Sequence, residues 1–486
     1  MTDDTTAARA TRTERDPLGE LAVPAGALYG VQTARAVQNF RISGLHALPG
    51  FVDATVWIKK AAALTHRDTG RLDAHRADAI VRAADEILAG KFRGEFVVDI
   101  YQAGAGTSHN MNVNEVLANR ANQILGQPLG SYSPVHPNDH VNMAQSTNDV
   151  IPTAIRLACL AQLADLARSA TALIAAFRDR ARAFDDVVKA GRTHLQDAMP
   201  IRLGQELAAY AGSIERGLER IELAADYLRE LGIGGSAVGT GVNVEPEYPE
   251  IMVRHLAAMT GLTLRAGSDR IQLMQSMGDV AAYSAQMRVL ALDLSKIASD
   301  LRLLASGPRT GLDEIRLPEV QPGSSIMPGK VNPSIPEMVN QVCFQVIGCD
   351  ACVAAASEHG QLELNVMMPV IAVNVLFAGQ ILAAAMRTLA ERCVAGLEAN
   401  REQCASWVER SAALATALAP RIGYTRAAEI SKRSVKENVL IRDLVARDAV
   451  LSPADAAAVL DLAKMTEIGI PGATPRDREE KGERRK

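Results

Sequence analysis

From Ile155 to Phe177 apolar residues recur every three or four positions, at Ile155, Cys159, Leu163, Leu166, Ala170, Leu173 and Phe177, with no proline between them. That spacing puts them on one face of a single helix. The same rhythm returns at Ile214, Leu218, Ile221, Ala225 and Leu228, and again at Leu290, Leu294, Ile297, Leu301 and Leu304. No proline interrupts residues 271–306, so a helix there would extend about 50 Å at roughly 1.5 Å per residue. Residues 334–357 and 370–398 complete a set of about five long rods. Helices of this length carry apolar stripes wider than one chain covers by itself, which predicts a bundle shared between subunits.

Composition agrees with a mainly α fold. The chain is 48% hydrophobic but only 4% aromatic, so its apolar mass is aliphatic and suits close helix packing. Three domains are expected: a mostly helical N-terminal domain to residue 148 with a disordered start, a long-helix domain over 149–403, and a small helical domain over 404–486. The last should hold short helices at 426–432, 441–447 and 453–463, opened at Ser452-Pro453, and a disordered charged tail from about residue 471. Residues 51–90 read as two helices that close at Gly90.

Net charge is −4 with both signs interspersed, which creates no field for nucleic acid or an anionic membrane. Any anionic substrate must be met locally. Residues 1–16 lack the apolar core of a secretory signal, and the six cysteines show no disulfide rhythm, so a reducing cytoplasm is expected. Cys349-x-x-Cys352 has no second pair and no nearby histidine, and reads as buried free thiols. Residues 364–386 carry no charge and are long enough to span a bilayer. Asn365, Pro369, Asn374 and Gln380 lie within them, favouring a helix buried in the bundle.

Polar residues concentrate in a few short blocks. The densest is Gly323-Ser-Ser-Ile-Met-Pro-Gly-Lys-Val-Asn-Pro333, which its glycines and prolines keep from continuing as helix or strand. It is not a P-loop: five residues rather than four separate the glycines, Pro328 removes an N–H, and Val331 stands where a hydroxyl is needed. Gly104 to Asn110 reads either as an anion contact at a helix start or as a plain capping turn. Pro137 breaks the metal-ligand geometry that His136 and His140 would need on a helix, and no metal cluster is apparent. Gln145 to Asp149 holds more hydrogen-bonding side chains than a cap requires. Gly191 to Asp197 carries a lone His194. Gly232-x-Gly234-x-x-Ala237 resembles a dinucleotide fingerprint, but a charged amphipathic helix precedes it where a buried strand is required.

Taken in order, Gly106-Thr107, Asn138-Asp-His-Val-Asn142, Gln145-Ser-Thr-Asn-Asp149, Gly191-Arg-Thr-His-Leu-Gln-Asp197, residues 234–243 and the 323–333 loop resemble the blocks of the aspartase and fumarase superfamily over most of the chain. The resemblance implies a cofactor-free lyase acting on a small dicarboxylate. It also implies a homotetramer with a twenty-helix bundle, five helices from each subunit, and active sites built by three subunits. Ser324 would be the catalytic base. Thr107, Ser146, Thr147 and Ser325 would hold the reacting carboxylate, Lys330 and His194 the other one, and Thr193, Asn148 and Asn332 the amino group.

Residues 29–43, Thr107-Ser108, Ser146-Thr147-Asn148, Leu301-Arg-Leu-Leu304 and residues 333–341 are similar to the aspartase branch, which implies elimination of ammonia from L-aspartate to give fumarate. The fumarase branch, interconverting fumarate and L-malate, is the alternative, and Met368 matches neither the acidic residue frequent in aspartases nor the basic one of fumarases. A non-catalytic helical scaffold is a third reading. Glu337 carries two readings, a partner for His194 or the acidic half of a capping box with Ser334.

Overall fold

The computed structural model of the chain describes residues 10–473; residues 1–9 and 474–486, the latter most of the tail expected to be disordered from about residue 471, lie outside them. Helices dominate the described residues, and the strands form only two-stranded pairs. The chain divides into two compact units, one of residues up to 168 with 217–292 and 342–383, the other of 169–216 and 293–341 with residues from 384 on.

The first unit opens on a hairpin of strands β1 (Thr11–Asp16) and β2 (Gly19–Pro24), paired antiparallel. A disordered start through residue 16 is therefore corrected from residue 11 on. Arg12 explains the order: its guanidinium donates to the carbonyl oxygens of Pro24, Ala25, Ala27 and Tyr29 and to the Glu14 carboxylate. Helix α1 (Val31–Asn39) follows, then α2 (Pro49–Asp68) and α3 (Ala74–Leu88), the two helices expected over 51–90. Gly90 stops the pair with a left-handed φ of 91°. Helix α4 (Thr107–Ile124) packs with them around Val56, Ile80, Ile87, Val113 and Leu117, all fully buried.

The long rods follow. Helix α5 (Thr147–Ala183) runs for 37 residues, and strands β3 (Val188–Thr193) and β4 (Gln196–Arg202) form a hairpin before α6 (Leu203–Tyr227). After α7 (Tyr248–Thr260) the expected single helix over 271–306 is broken into α8 (Arg270–Gln275) and α9 (Gly278–Leu304). Ser276 is extended there, at φ −106° and ψ 127°, and its Oγ accepts from the Gly278 N–H at 3.2 Å. A serine that accepts from the backbone of a glycine two residues on stops a helix without any proline. Helices α10 (Ser334–Glu358) and α11 (Met368–Arg392) complete the five rods.

Ile155, Cys159, Leu166, Leu173 and Phe177 are fully buried, as their spacing predicts. Leu163 and Leu218 are only half-buried, while Phe344, Leu223 and Tyr227 stand 63%, 72% and 64% exposed. The single chain thus leaves apolar surface on its rods. By length and composition three helices among the described residues would suffice to cross a membrane, those starting at Thr147, Ser334 and Met368. In α11, Ile371, Val375 and Leu382 are nonetheless completely buried, and Asn374 donates its amide to the Val370 carbonyl at 2.8 Å.

In the second unit short helices, among them Tyr424–Glu437, Ile441–Arg447 and Pro453–Val459, gather around Leu414, Leu418, Ile430 and Leu444, with Ala190 of β3 in the same core. Ser452 caps the last of them, accepting from the Asp455 N–H at 3.1 Å.

Candidate active site

Thr107, Ser146, Thr147 and Asn148 belong to the first unit. Gly106, at φ 86°, turns the chain into α4, and a side chain there would press on Ile151 at 3.1 Å. Thr107 is exposed at the first position of that helix, its hydroxyl donating to the Gly104 carbonyl at 3.3 Å. Ser146, Thr147 and Asn148 open α5 and are held from beneath by Asp149. The buried Asp149 carboxylate accepts from the Ser146 N–H at 2.9 Å and from the Gly234 and Ser236 N–H groups at 2.9 and 3.1 Å. The glycine turn that resembles a dinucleotide fingerprint is therefore filled by an anion of the chain itself. Burial pushes Asp149 up to about 6, while these N–H bonds and the Lys59 charge pull the other way. Asn148 donates its amide to the Ala237 carbonyl at 2.7 Å, which leaves its Oδ1 as the outward acceptor.

Thr193 and His194 lie at the tip of the β3–β4 hairpin and are exposed. His194 and Leu195 both take left-handed φ values, 54° and 58°, in the two-residue turn between the strands. Such turns favour Asn-Gly, so the backbone is strained at the residue of interest. Behind the tip, Arg192 donates both guanidinium arms to Glu314 at 3.0 and 2.9 Å. Glu314 is fully buried and also lies 3.2 Å from the buried Lys189 ammonium, which reaches Glu206 at 3.2 Å. Two cations and two carboxylates thus brace the hairpin.

The 323–333 loop is clasped at its ends. Gly323 N–H donates to the Lys330 carbonyl at 2.8 Å, and Asn332 donates its amide to the Gly323 carbonyl at 2.7 Å. Inside the clasp the Ser324 hydroxyl oxygen accepts from the Ile326 and Met327 N–H groups at 3.2 and 2.9 Å. Two donors on one oxygen favour its deprotonated form. Ser325 and Lys330 are exposed, and at the tip Ile326 and Met327 are 84% and 50% exposed.

Lys330 and Asn332 line a cavity of about 320 Å³ with Arg316 and Asp313. His194 lines a different one, about 360 Å³, with Lys189, Arg192 and Lys296. The single chain therefore does not bring His194 and Lys330 into one cavity. Of the two readings of Glu337, the capping box is not formed: Ser334 is the first residue of α10 and its buried Oγ has no hydrogen-bond partner. Met368 is buried at the start of α11. Among the described residues no group of three or more His, Cys, Asp or Glu side chains is placed to hold a metal ion.

Sequence reasoning missed Lys59. It is fully buried, and its ammonium donates to Asn142 Oδ1 at 2.8 Å and Gln145 Oε1 at 2.9 Å, beneath the Ser146–Asn148 block. The available signal was its register, three residues after Val56 and four before Ala63, which puts a charge on the apolar stripe of α2. Glu314 was missed because nothing local marks it.

A family model described as lyase matches residues 19–348, and one described as the fumarase C C-terminus matches residues 414–467. The chain is 51% identical over 460 residues to a class II fumarate hydratase of Halobacterium salinarum, covering 94% of this chain and 98% of that protein. It is 47% identical over 461 residues to an aspartate ammonia-lyase of Bacillus subtilis, covering 95% and 97%. Among solved structures, a fumarate lyase:delta crystallin of Brucella melitensis, bound to cobalt, superposes with a TM-score of 0.91 at 48% identity, covering 94% of this chain and all of that one.

Proposed function

The chain belongs to the aspartase and fumarase superfamily of lyases, and on that premise we propose that it is an aspartate ammonia-lyase that converts L-aspartate reversibly to fumarate and ammonia. The observation that carries this reading is the orientation of two asparagines. Asn148 and Asn332 each anchor the side-chain NH2 through one N–H to a backbone carbonyl, at Ala237 and Gly323, which turns the amide oxygen to the opposite side. A carbonyl only accepts, so each asparagine presents Oδ1 to a ligand. An ammonium group brings three donors and no acceptor, and two such oxygens suit it.

In this reading Ser324 removes the C–H proton beside the reacting carboxylate. The Ile326 and Met327 N–H groups stabilise the serine oxygen that makes the attack. The electron pair left on carbon passes into the carboxylate, giving a dianionic aci-carboxylate. Donors preorganised toward that charge, Thr107, Ser146, Thr147 and the Ser325 region, supply the main stabilisation, on the order of 3 kcal/mol for each well-placed donor. The pair then returns to form the double bond as the amino group departs as ammonia. Lys330 and His194 hold the second carboxylate, and Thr193 joins the asparagines at the nitrogen.

Separate cavities for His194 and Lys330, with apolar side chains exposed on the rods, support a homotetramer whose sites take residues from three subunits. Six free cysteines, five of them buried, support a reducing cytoplasm.

A fumarate hydratase is the second reading, supported by the 51% identical Halobacterium salinarum relative, while Met368 favours neither branch. The test is to incubate pure protein with L-aspartate and, separately, with L-malate, and to follow fumarate by ultraviolet absorbance. Fumarate from L-aspartate is expected. Fumarate from L-malate alone overturns the proposal in favour of the hydratase, and none from either favours a scaffold.

A further inference from the structure

Lys59, Asn142, Asn110 and Thr147 form a hydrogen-bonded chain that ends at the candidate site. The Lys59 ammonium donates to Asn142 Oδ1 at 2.8 Å and to Gln145 Oε1 at 2.9 Å. Asn142 Oδ1 also accepts from Asn110 Nδ2 at 3.3 Å and Asn114 Nδ2 at 3.2 Å. Asn110 Nδ2 then reaches the Thr147 hydroxyl oxygen at 3.3 Å.

These bonds have a direction, and Lys59 sets it. A lysine ammonium donates and never accepts, so Asn142 must turn its oxygen inward, and its amide nitrogen goes to the Gln145 carbonyl at 3.2 Å. Facing that oxygen, Asn110 must present its NH2, and the same NH2 serves Thr147. The threonine oxygen accepts from within the protein, and its own proton is left to point outward. Burial pulls Lys59 down to about 7 and the Asp149 carboxylate opposes it. Even the neutral amine keeps two N–H bonds and spends both on Asn142 and Gln145.

We propose that Lys59 is a positioning residue which acts through Asn142 and Asn110 to hold the Thr147 hydroxyl as a donor to a substrate carboxylate. It rests on the reading of Thr147 as a carboxylate ligand. A second observation supports it: Asn110 Oδ1 is buried without a hydrogen-bond partner. Turning that amide over would let its oxygen take the Thr147 proton and satisfy itself, at the substrate's expense. The lysine, two bonds away, forbids the turn. A cation needed only to fill space under α5 would not require Asn110 to strand its oxygen.

The test is a double-mutant cycle on the full-length protein, reading kcat/KM for L-aspartate and L-malate with Lys59→Met, Thr147→Ala and both together. Lys59→Met is expected to lower kcat/KM about tenfold, the loss of one well-directed hydrogen bond to a charged group, and to have little further effect once Thr147 is alanine. Losses that simply multiply in the double variant overturn the proposal, because Lys59 would then act elsewhere. An active Lys59→Met beside an impaired Thr147→Ala overturns the role of Lys59 and leaves Thr147 assigned. A fully active Thr147→Ala instead removes the reading on which the proposal rests. Should Lys59→Met fail to fold, Asn110→Leu breaks the chain one link further on, and the same non-additivity with Thr147→Ala is required of it.

Discussion

The side-chain amide of Asn332 donates to the carbonyl oxygen of Gly323 across 2.7 Å, closing the ends of an eleven-residue loop around Ser324. With the loop so closed, the Ser324 oxygen receives two backbone N–H groups that no other part of the chain needs to supply. Ser324→Ala is expected to cut kcat on the order of 10²–10⁴-fold, with the circular dichroism spectrum and oligomeric mass unchanged. Near-normal turnover removes Ser324 as the base.

Gly323 is tightly enclosed. A Cβ there would lie 2.4 Å from the Lys330 carbonyl oxygen and 2.7 Å from the Asn332 nitrogen, so Gly323→Ala forces the clasp open. Losing two hydrogen bonds worth about 1 kcal/mol each lowers kcat/KM by roughly tenfold or more. Urea unfolding should move little, since the loop is exposed. An alanine variant with full activity shows that catalysis does not need the closed clasp.

The proposed sharing of sites between subunits makes a further outcome measurable. Ser324→Ala and His194→Ala subunits, each inactive alone, should regain fumarate production when denatured together and refolded as a mixture. No recovery from mixed oligomers, confirmed as mixed by mass, contradicts the sharing.

Glu314 is fully buried between Arg192 and Lys189. Glu314→Gln leaves Arg192 without its carboxylate and Lys189 with Glu206 alone, and breaking a buried pair in this way costs about 3–5 kcal/mol. The urea midpoint should fall accordingly, and KM should rise because the same contacts hold the Thr193–His194 tip. A stable variant with native KM shows that the brace is dispensable.

His109 predicts an acid limb of stability. Burial pushes its imidazole down to about 3 from an ordinary 6.5, and its Nε2–H donates to Thr55 Oγ1 at 3.1 Å, because the threonine proton goes to the Phe51 carbonyl. Between those pH values the unfolded chain binds the proton and the folded chain does not, so the contribution is complete above about 6.5 and is lost as pH falls toward 3. Asp149, pushed up from 3.8 to about 6, slopes the opposite way, since its folded form takes up the proton first. His109→Gln should flatten the rise in urea midpoint between pH 3 and 6.5; an unchanged profile argues that other groups set it.

The rods were legible because burial forces a period on Ile155, Leu166, Leu173 and Phe177 that no turn or strand reproduces. The 323–333 loop stood out as a candidate because Gly323, Ser324 and Lys330 crowd where packing has no use for them. Helix breaks were not: Ser276 halts a helix through a side-chain bond to Gly278 N–H, which looks the same in sequence as a tolerated serine. Nor was the N-terminal hairpin, whose order depends on Arg12 finding carbonyl oxygens up to 17 residues away. Lys59 and Glu314 share that difficulty, since the partners that make a buried charge affordable come from distant stretches. The mainly α fold and the lyase family follow from residues that act locally, whereas the electrostatic supports beneath the candidate site depend on tertiary placement.

Each compact unit is stitched from three separate stretches of chain, and the boundary falls inside every one of the five rods. Neither unit can be obtained by cutting the chain at a single point, so truncation should yield fragments without a complete core. Contacts between such remote stretches must form before either core pays back its loop closure, and high contact order slows folding. During synthesis the aliphatic faces of the early rods therefore wait, uncovered, for partner stretches that leave the ribosome much later.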